Sequence, residues 1–99
     1  MAKLAQAEIE SVLRELPGWT IRNGMLVKTF KHESFPEAIV FVNAVAHLAE
    51  LADHHPDIDV RYSNITLSLV THDEGGITPR DVDLARQVEE IRRKAAASA

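Results

Sequence analysis

The segment from Ser34 to about Asp53 constrains the fold most, because it predicts one long helix that is apolar around nearly half of its circumference. Ser34 and Glu37 have the spacing of a capping box at the start of this helix. The apolar residues form two neighbouring stripes, which are Ile39, Val42, Ala46 and Ala49, then Phe41, Val45, Leu48 and Ala52, with Val40 and Leu51 beyond them. One sheet does not cover so wide a face, so we expect the helix to pack against another subunit as well.

The residues before this helix predict a first helix and a hairpin. Apolar residues at helical spacing, namely Ile9, Val12, Leu13 and Leu16, predict a helix near residues 5–16 that stops at Pro17-Gly18. Residues 19–22 and 25–31 are rich in strand-forming residues. The dipeptide between them, Asn23-Gly24, is favoured where both turn residues need a positive φ. We therefore predict two antiparallel strands.

The residues after the long helix predict a second hairpin and a last helix. Alternation over residues 57–71 predicts two strands joined at Ser63-Asn64, and Thr78-Pro79 supplies an N-cap and a favoured first residue for a last helix. The whole pattern predicts an α+β fold in the order α-β-β-α-β-β-α, with a single four-stranded antiparallel sheet and three helices packed on one face. We expect residues 1–99 to form one domain.

Composition excludes several classes of partner. The formal charge is −4, and the longest basic run is Arg92-Arg93-Lys94, so we expect no direct binding to nucleic acid. We find no stretch of the ~20 apolar residues that a membrane span requires and no basic leader followed by an apolar run, so no membrane partner is expected. The absence of cysteine suits a reducing compartment, and we expect a cytoplasmic protein.

Polar residues that suit proton transfer cluster near the end of the long helix. Helical geometry places Glu50 and His54, with Asn43 and His47, on the side away from the apolar stripes, and His55-Pro56 follows where the helix must end. His72 is expected at the end of the fourth strand. Asp81, the third residue of the last helix, should point toward the sheet. We hypothesise that this carboxylate orients the His72 imidazole.

These residues together resemble a known family. The set Glu50-x-x-x-His54-His55-Pro56, Tyr62, Thr71-His72, Gly75-Gly76-x-Thr78 and Asp81-x-x-Leu84-Ala85 is similar to the signature of the pterin-4a-carbinolamine dehydratases. Pro17-Gly18-Trp19 and the series Phe30, Phe35, Ala38 and Phe41 resemble the amino-terminal half of that family. Several motifs in the right order and spacing are more specific than one short pattern.

The resemblance implies dehydration of a 4a-hydroxytetrahydropterin to the quinonoid dihydropterin, which recycles the tetrahydropterin cofactor of aromatic amino acid hydroxylases. It implies His54 and His72 as the acid and base, His55 as a substrate-holding and catalytic histidine, and Glu50 and Asp81 as carboxylates of the catalytic set. Residues matching positions that line or support the pterin site are Asp53, Pro56, Thr71, Asp73 and Arg80. The family needs no metal or organic cofactor, and its members form dimers or tetramers. Histidine, with an ordinary pKa of ~6.5, suits either proton-transfer role near neutral pH.

Two alternatives stay open from the sequence. One is a binding or assembly module that keeps the fold without the reaction, since relatives of the family act as partners of transcription factors or as assembly factors. The other is a metal site built from His54, His55, His72 and Asp81, because imidazole and carboxylate bind zinc or iron. Retention of all three histidines favours the enzyme.

Overall fold

The fold follows the predicted order of helices and strands. The computed structural model describes residues 2–98, with side chains through Lys94. In chain order the elements are α1 (Gln6–Glu15), β1 (Thr20–Arg22), β2 (Met25–Lys31), α2 (Phe35–Ala52), β3 (Asp57–Arg61), β4 (Asn64–Leu69), a short 3₁₀ helix (His72–Glu74) and α3 (Pro79–Ser98). The four strands form one antiparallel sheet in the order β1-β2-β4-β3. The predicted fold class is confirmed.

The β1–β2 hairpin turns at the predicted dipeptide. Asn23 and Gly24 have φ angles of 52° and 77°, so both occupy the left-handed region that this tight turn requires. The second hairpin differs from the prediction, because its turn is Tyr62-Ser63 and Asn64 is already the first residue of β4. Tyr62 has a φ of 53°, which takes it out of the strand alternation that predicted it to lie in β3.

One face of the sheet forms the core with the helices. Leu26 and Phe30 of β2 pair with Leu69 and Ile65 of β4, and all four are buried. The Phe30 ring lies 4.8 Å from that of Phe41 on α2, centroid to centroid. The same cluster includes Val45 and Ala49 of α2, Leu84, Ala85 and Val88 of α3, and Trp19. The alternation of β4 thus fixes which face receives the helices.

The opposite side of α2 remains uncovered within the single chain. Val40 and Leu51 on this side are 68% and 73% exposed, and Phe35 at the start of the helix is 47% exposed. By length and composition alone this helix is apolar enough to cross a membrane, which the sequence prediction did not foresee. Its buried face, with Phe41 and Val45, packs in the core, and the central helix of a globular domain has such a composition for that reason. Packing of the exposed face against another subunit remains a prediction.

Candidate active site

The end of α2 determines where the two adjacent histidines point. Asp53 caps the helix in a left-handed conformation, with φ 51° and ψ 44°, and the His54 amide donates to the Ala49 carbonyl at 3.1 Å. The reversal takes His54 off the polar side of the helix, where helical phase had placed it. His54 is 8% exposed, whereas His55 lies at the surface. Two neighbours in sequence therefore have opposite environments.

The imidazole of His54 pairs with a buried carboxylate. Its Nε2 lies 2.5 Å from Oδ1 of Asp81, a residue with no exposed surface. The other carboxylate oxygen, Oδ2, accepts from the Thr71 hydroxyl at 2.9 Å and from the Thr78 amide at 2.9 Å. Both oxygens of Asp81 are thus engaged at the point where α3 begins.

The hypothesis that Asp81 orients His72 is wrong about the partner. The helical position of Asp81 is as predicted, and the side chain points inward. Because the chain reverses at Asp53, His54 fills the space beside Asp81. His72 instead begins an exposed 3₁₀ turn beyond the end of β4. Separation along the sequence gave no indication of which histidine would reach the carboxylate.

The turn that carries His72 is held by backbone pairing on both sides. Thr71 and Gly76 form an isolated antiparallel bridge, in which the Thr71 amide donates to the Gly76 carbonyl at 3.0 Å. The Gly75 amide donates to the His72 carbonyl at 3.1 Å, and Gly75 has a φ of 71° that favours glycine. Although exposed, the His72 side chain therefore extends from a closed loop.

Glu50 contacts His55 and not its i+4 neighbour His54. Nε2 of His55 lies 2.9 Å from Oε1 of Glu50, and the two side chains are 59% and 80% exposed. A hydrogen bond this accessible to water has little effect on stability but restricts the orientation of the ring. Glu50 thus acts on the outer histidine and Asp81 on the inner one.

All three histidines line one cleft of about 270 Å³. Its other lining residues are Asp53, Val70, Thr71, Asp73 and Arg80. An Arg80 guanidinium nitrogen donates to the Asp53 carbonyl at 2.5 Å, which joins the start of α3 to the end of α2. The predicted convergence of residues far apart in sequence is present in the structure.

Three of the predicted site residues do not line the cleft, and the sequence analysis did not predict two residues that contribute to the site. Glu50 and Asp81 contact His55 and His54 from behind, whereas Pro56 does not line the cleft. Sequence reasoning did not find Val70, an apolar lining residue, or the role of Thr78 beyond capping. The Thr78-x-x-Asp81 spacing of a capping box did contain a signal that these two residues contact each other.

The geometry gives no support to a metal centre. Within the part of the chain whose side chains are described, no group of three His, Asp or Glu residues could hold a metal ion. His54 and Asp81 satisfy each other, and the His55 ring turns outward toward Glu50. The four proposed ligands therefore do not form a coordination set.

Comparison with known proteins gives one consistent family. The family model described as pterin 4 alpha carbinolamine dehydratase matches residues 2–91. A protein of Roseiflexus sp. (strain RS-1), provisionally named pterin-4-alpha-carbinolamine dehydratase, is 56% identical over 89 residues, which cover 90% of this chain and 96% of the relative. A protein of Chloroflexus aurantiacus (strain ATCC 29366 / DSM 635 / J-10-fl) with the same provisional name is 50% identical over 91 residues, covering 92% and 98%.

Solved structures agree in fold. A transcriptional coactivator/pterin dehydratase from Brucella melitensis matches with a TM-score of 0.86 and 33% identity over 90% of this chain and 97% of that chain. A pterin dehydratase-like protein, identified as a RuBisCO assembly factor in the alpha-carboxysome, matches with a TM-score of 0.59 and 23% identity over 73% and 83%. At that identity the second likeness concerns the fold alone. Sequence and structure therefore agree that this chain belongs to the pterin 4 alpha carbinolamine dehydratase family.

Proposed function

We propose that the protein catalyses dehydration of a 4a-hydroxytetrahydropterin to the quinonoid dihydropterin. The observation that carries the proposal is the lining of one cleft by His54, His55 and His72. A volume of about 270 Å³ is close to the lower end of the ~300–1,000 Å³ typical of small-molecule sites, which suits a small bicyclic ligand.

The reaction requires two proton transfers. The bond between C4a and its hydroxyl oxygen breaks as a donor protonates that oxygen, and water leaves. A ring nitrogen of the pterin gives up a proton to an acceptor, so the net change is loss of one water. His54 and His72 act as the acid–base pair, and His55 binds the substrate and assists. Each well-placed transfer contributes ~10²–10⁴ in rate, so imidazoles alone suffice.

The physiological role follows from the product. The quinonoid dihydropterin is the form that a reductase returns to the tetrahydropterin used by aromatic amino acid hydroxylases, so the protein serves cofactor recycling. We place this activity in the cytoplasm, where a chain without cysteine loses nothing in a reducing environment.

We also propose that the active protein is a homodimer or homotetramer. The uncovered side of α2, with Val40 and Leu51 exposed, supports this assembly. Exposed apolar residues on a helix that already contributes to the core suit a subunit interface.

The test is an activity assay on synthetic carbinolamine. We expect the purified protein to accelerate dehydration above the uncatalysed rate, and His72→Ala to lose at least ~100-fold. The control is Asp83→Ala, because Asp83 is an exposed residue of α3 outside the cleft, and its loss should leave the rate unchanged. An unchanged rate in His72→Ala would remove His72 from the mechanism.

A binding module is the second candidate. The Brucella melitensis neighbour is described as both a coactivator and a pterin dehydratase, so the two activities are associated with this fold. A purified protein with no rate above background would favour the module and contradict the enzyme.

A further inference from the structure

The hydrogen bonds around Asp81 have a determined direction. We propose that Thr71, Thr78 and Asp81 are positioning residues that hold His54 in the tautomer with its proton on Nε2, so that Nδ1 is the atom that exchanges protons with the substrate. The assignment of Nδ1 as the catalytic atom rests on the proposed dehydratase function. The tautomer itself rests only on the contacts of Asp81.

The Asp81 carboxylate and two backbone amides fix the direction of the network. An N–H can only donate, so the Thr78 amide donates to Oδ2 of Asp81 at 2.9 Å, and the Arg80 amide donates to the Thr78 hydroxyl oxygen at 3.2 Å. A carboxylate oxygen accepts, so Thr71 donates its single hydroxyl proton to Oδ2 of Asp81 at 2.9 Å. With that proton used, the 2.7 Å hydrogen bond between the two hydroxyls is donated by Thr78 to Oγ1 of Thr71. Every proton in this chain points toward the carboxylate.

As an ionised carboxylate, Asp81 accepts on both oxygens. Oδ2 receives the Thr71 hydroxyl and the Thr78 amide, and Oδ1 faces Nε2 of His54 at 2.5 Å. A carboxylate that accepts at Oδ1 requires a proton on Nε2. Neutral His54 consequently has its unprotonated nitrogen at Nδ1, just as the orienting carboxylate of a catalytic triad selects one tautomer of its histidine.

Nδ1 of His54 is available for chemistry. No group among residues 2–94, whose side chains are described, makes a hydrogen bond to it, and His54 lines the cleft. The same atom accepts a proton when the ring is neutral and donates one when the ring is an imidazolium, while Asp81 holds the far side of the ring in both states. The same arrangement therefore allows Nδ1 of His54 to accept or to donate a proton.

This arrangement gives Thr71 a supporting role at the cleft that it lines. Its hydroxyl donates to Asp81 and accepts from Thr78, so its hydroxyl proton is directed at the carboxylate. Thr71 and Thr78 are 5% and 0% exposed, in keeping with a supporting role. Both act on the reaction through Asp81 and His54.

The tautomer is measured directly by long-range ¹⁵N–¹H NMR of the full-length protein. In its neutral form, we expect His54 to have its proton on Nε2. In Asp81→Asn the amide oxygen must face the Thr78 amide, which is a fixed donor, so the amide NH₂ faces His54 and donates to Nε2. We therefore expect the proton to move to Nδ1 in this variant, and kcat to fall by at least ~100-fold with little change in KM.

Two substitutions of Thr71 and a control substitution of Thr66 test the role of the threonine hydroxyl. Thr71→Val removes the donor to Asp81 and should lower kcat and alter the His54 signals, whereas Thr71→Ser should restore both. Thr66 is the control, because its hydroxyl bonds that of Thr29 at 2.8 Å on the sheet without any carboxylate, and Thr66→Val should leave the His54 signals and kcat unchanged.

Two results would overturn the inference. One is a proton on Nδ1 of His54 in the unmodified protein, and the other is an Asp81→Asn variant that folds, keeps its NMR signals and retains full kcat. Because the tautomer is read without substrate, a protein with the expected tautomer but no dehydratase activity would refute the proposed function and leave the positioning set intact.

Discussion

Replacing Asp81 by alanine should lower the free energy of unfolding by about 3–5 kcal/mol. The side chain has no exposed surface and accepts from three donors, which are the Thr71 hydroxyl, the Thr78 amide and Nε2 of His54. An unsatisfied buried donor costs ~1–3 kcal/mol, so three would cost ~3–9 kcal/mol. The Thr71 hydroxyl can rotate and cleft water can reach His54, which favours the lower part of this range. Breaking a buried pair by removing one partner typically costs ~3–5 kcal/mol.

The assay is urea denaturation followed by circular dichroism. Protein concentration must be the same for all variants, because subunit association adds to apparent stability. Asp83→Ala is the matched control, since Asp83 lies on the same helix with its side chain 66% exposed, and the change should stay within ~0.5 kcal/mol. A loss below ~1 kcal/mol for Asp81→Ala would refute the reasoning, because it would mean that the three donors find other acceptors without cost.

Three further predictions concern other parts of the molecule. Burial, and after it the Arg92 guanidinium, lower the pKa of His32. The stability that His32 contributes is therefore complete above the ordinary histidine pKa of ~6.5 and is lost as the pH falls below it. His32→Gln, which keeps an acceptor for Arg92, should reduce the fall in melting temperature between about pH 7.5 and 5.5. Val40→Glu on the uncovered side of α2 should reduce the particle mass measured by light scattering, and an unchanged mass would contradict an interface there. Because exposed ion pairs contribute only ~0.2–1 kcal/mol, Glu50→Gln should lower kcat by at most about fivefold through His55, and a 100-fold loss would assign Glu50 a direct role.

The helices and strands were predictable because the sequence pattern that marks each turn or helix start involves only a few residues. The positive φ angles of the first hairpin follow from Asn23-Gly24, and the start of α3 follows from Thr78-Pro79. The error at Tyr62 arose where alternation continued into a turn, since a period of two does not show where a strand ends.

The membership of the site was predictable, but its pairings were not. The resemblance implied that His54, His72 and Asp81 belong to one site, and the two histidines line one cleft. Which histidine meets Asp81 depends on one backbone conformation, the left-handed Asp53, which rotates His54 inward. Aspartate adopts that conformation more readily than most residues, but nothing in the sequence required it at this position.

The contacts of Asp81 connect the formation of the site to the formation of the fold. The same carboxylate accepts from the Thr78 amide at the first turn of α3 and from His54, which lies just beyond the end of α2. The hydroxyl of Thr71, which follows β4, also donates to Asp81 and so connects a third element to the carboxylate. The orientation of His54 therefore exists only when α2, β4 and α3 have docked, because no element alone provides both the imidazole and its acceptor. His72 and His55, in contrast, are exposed and exchange protons with water without opening the core. One buried, fixed imidazole beside two accessible ones suits the proposed transfer of protons to and from a bicyclic substrate.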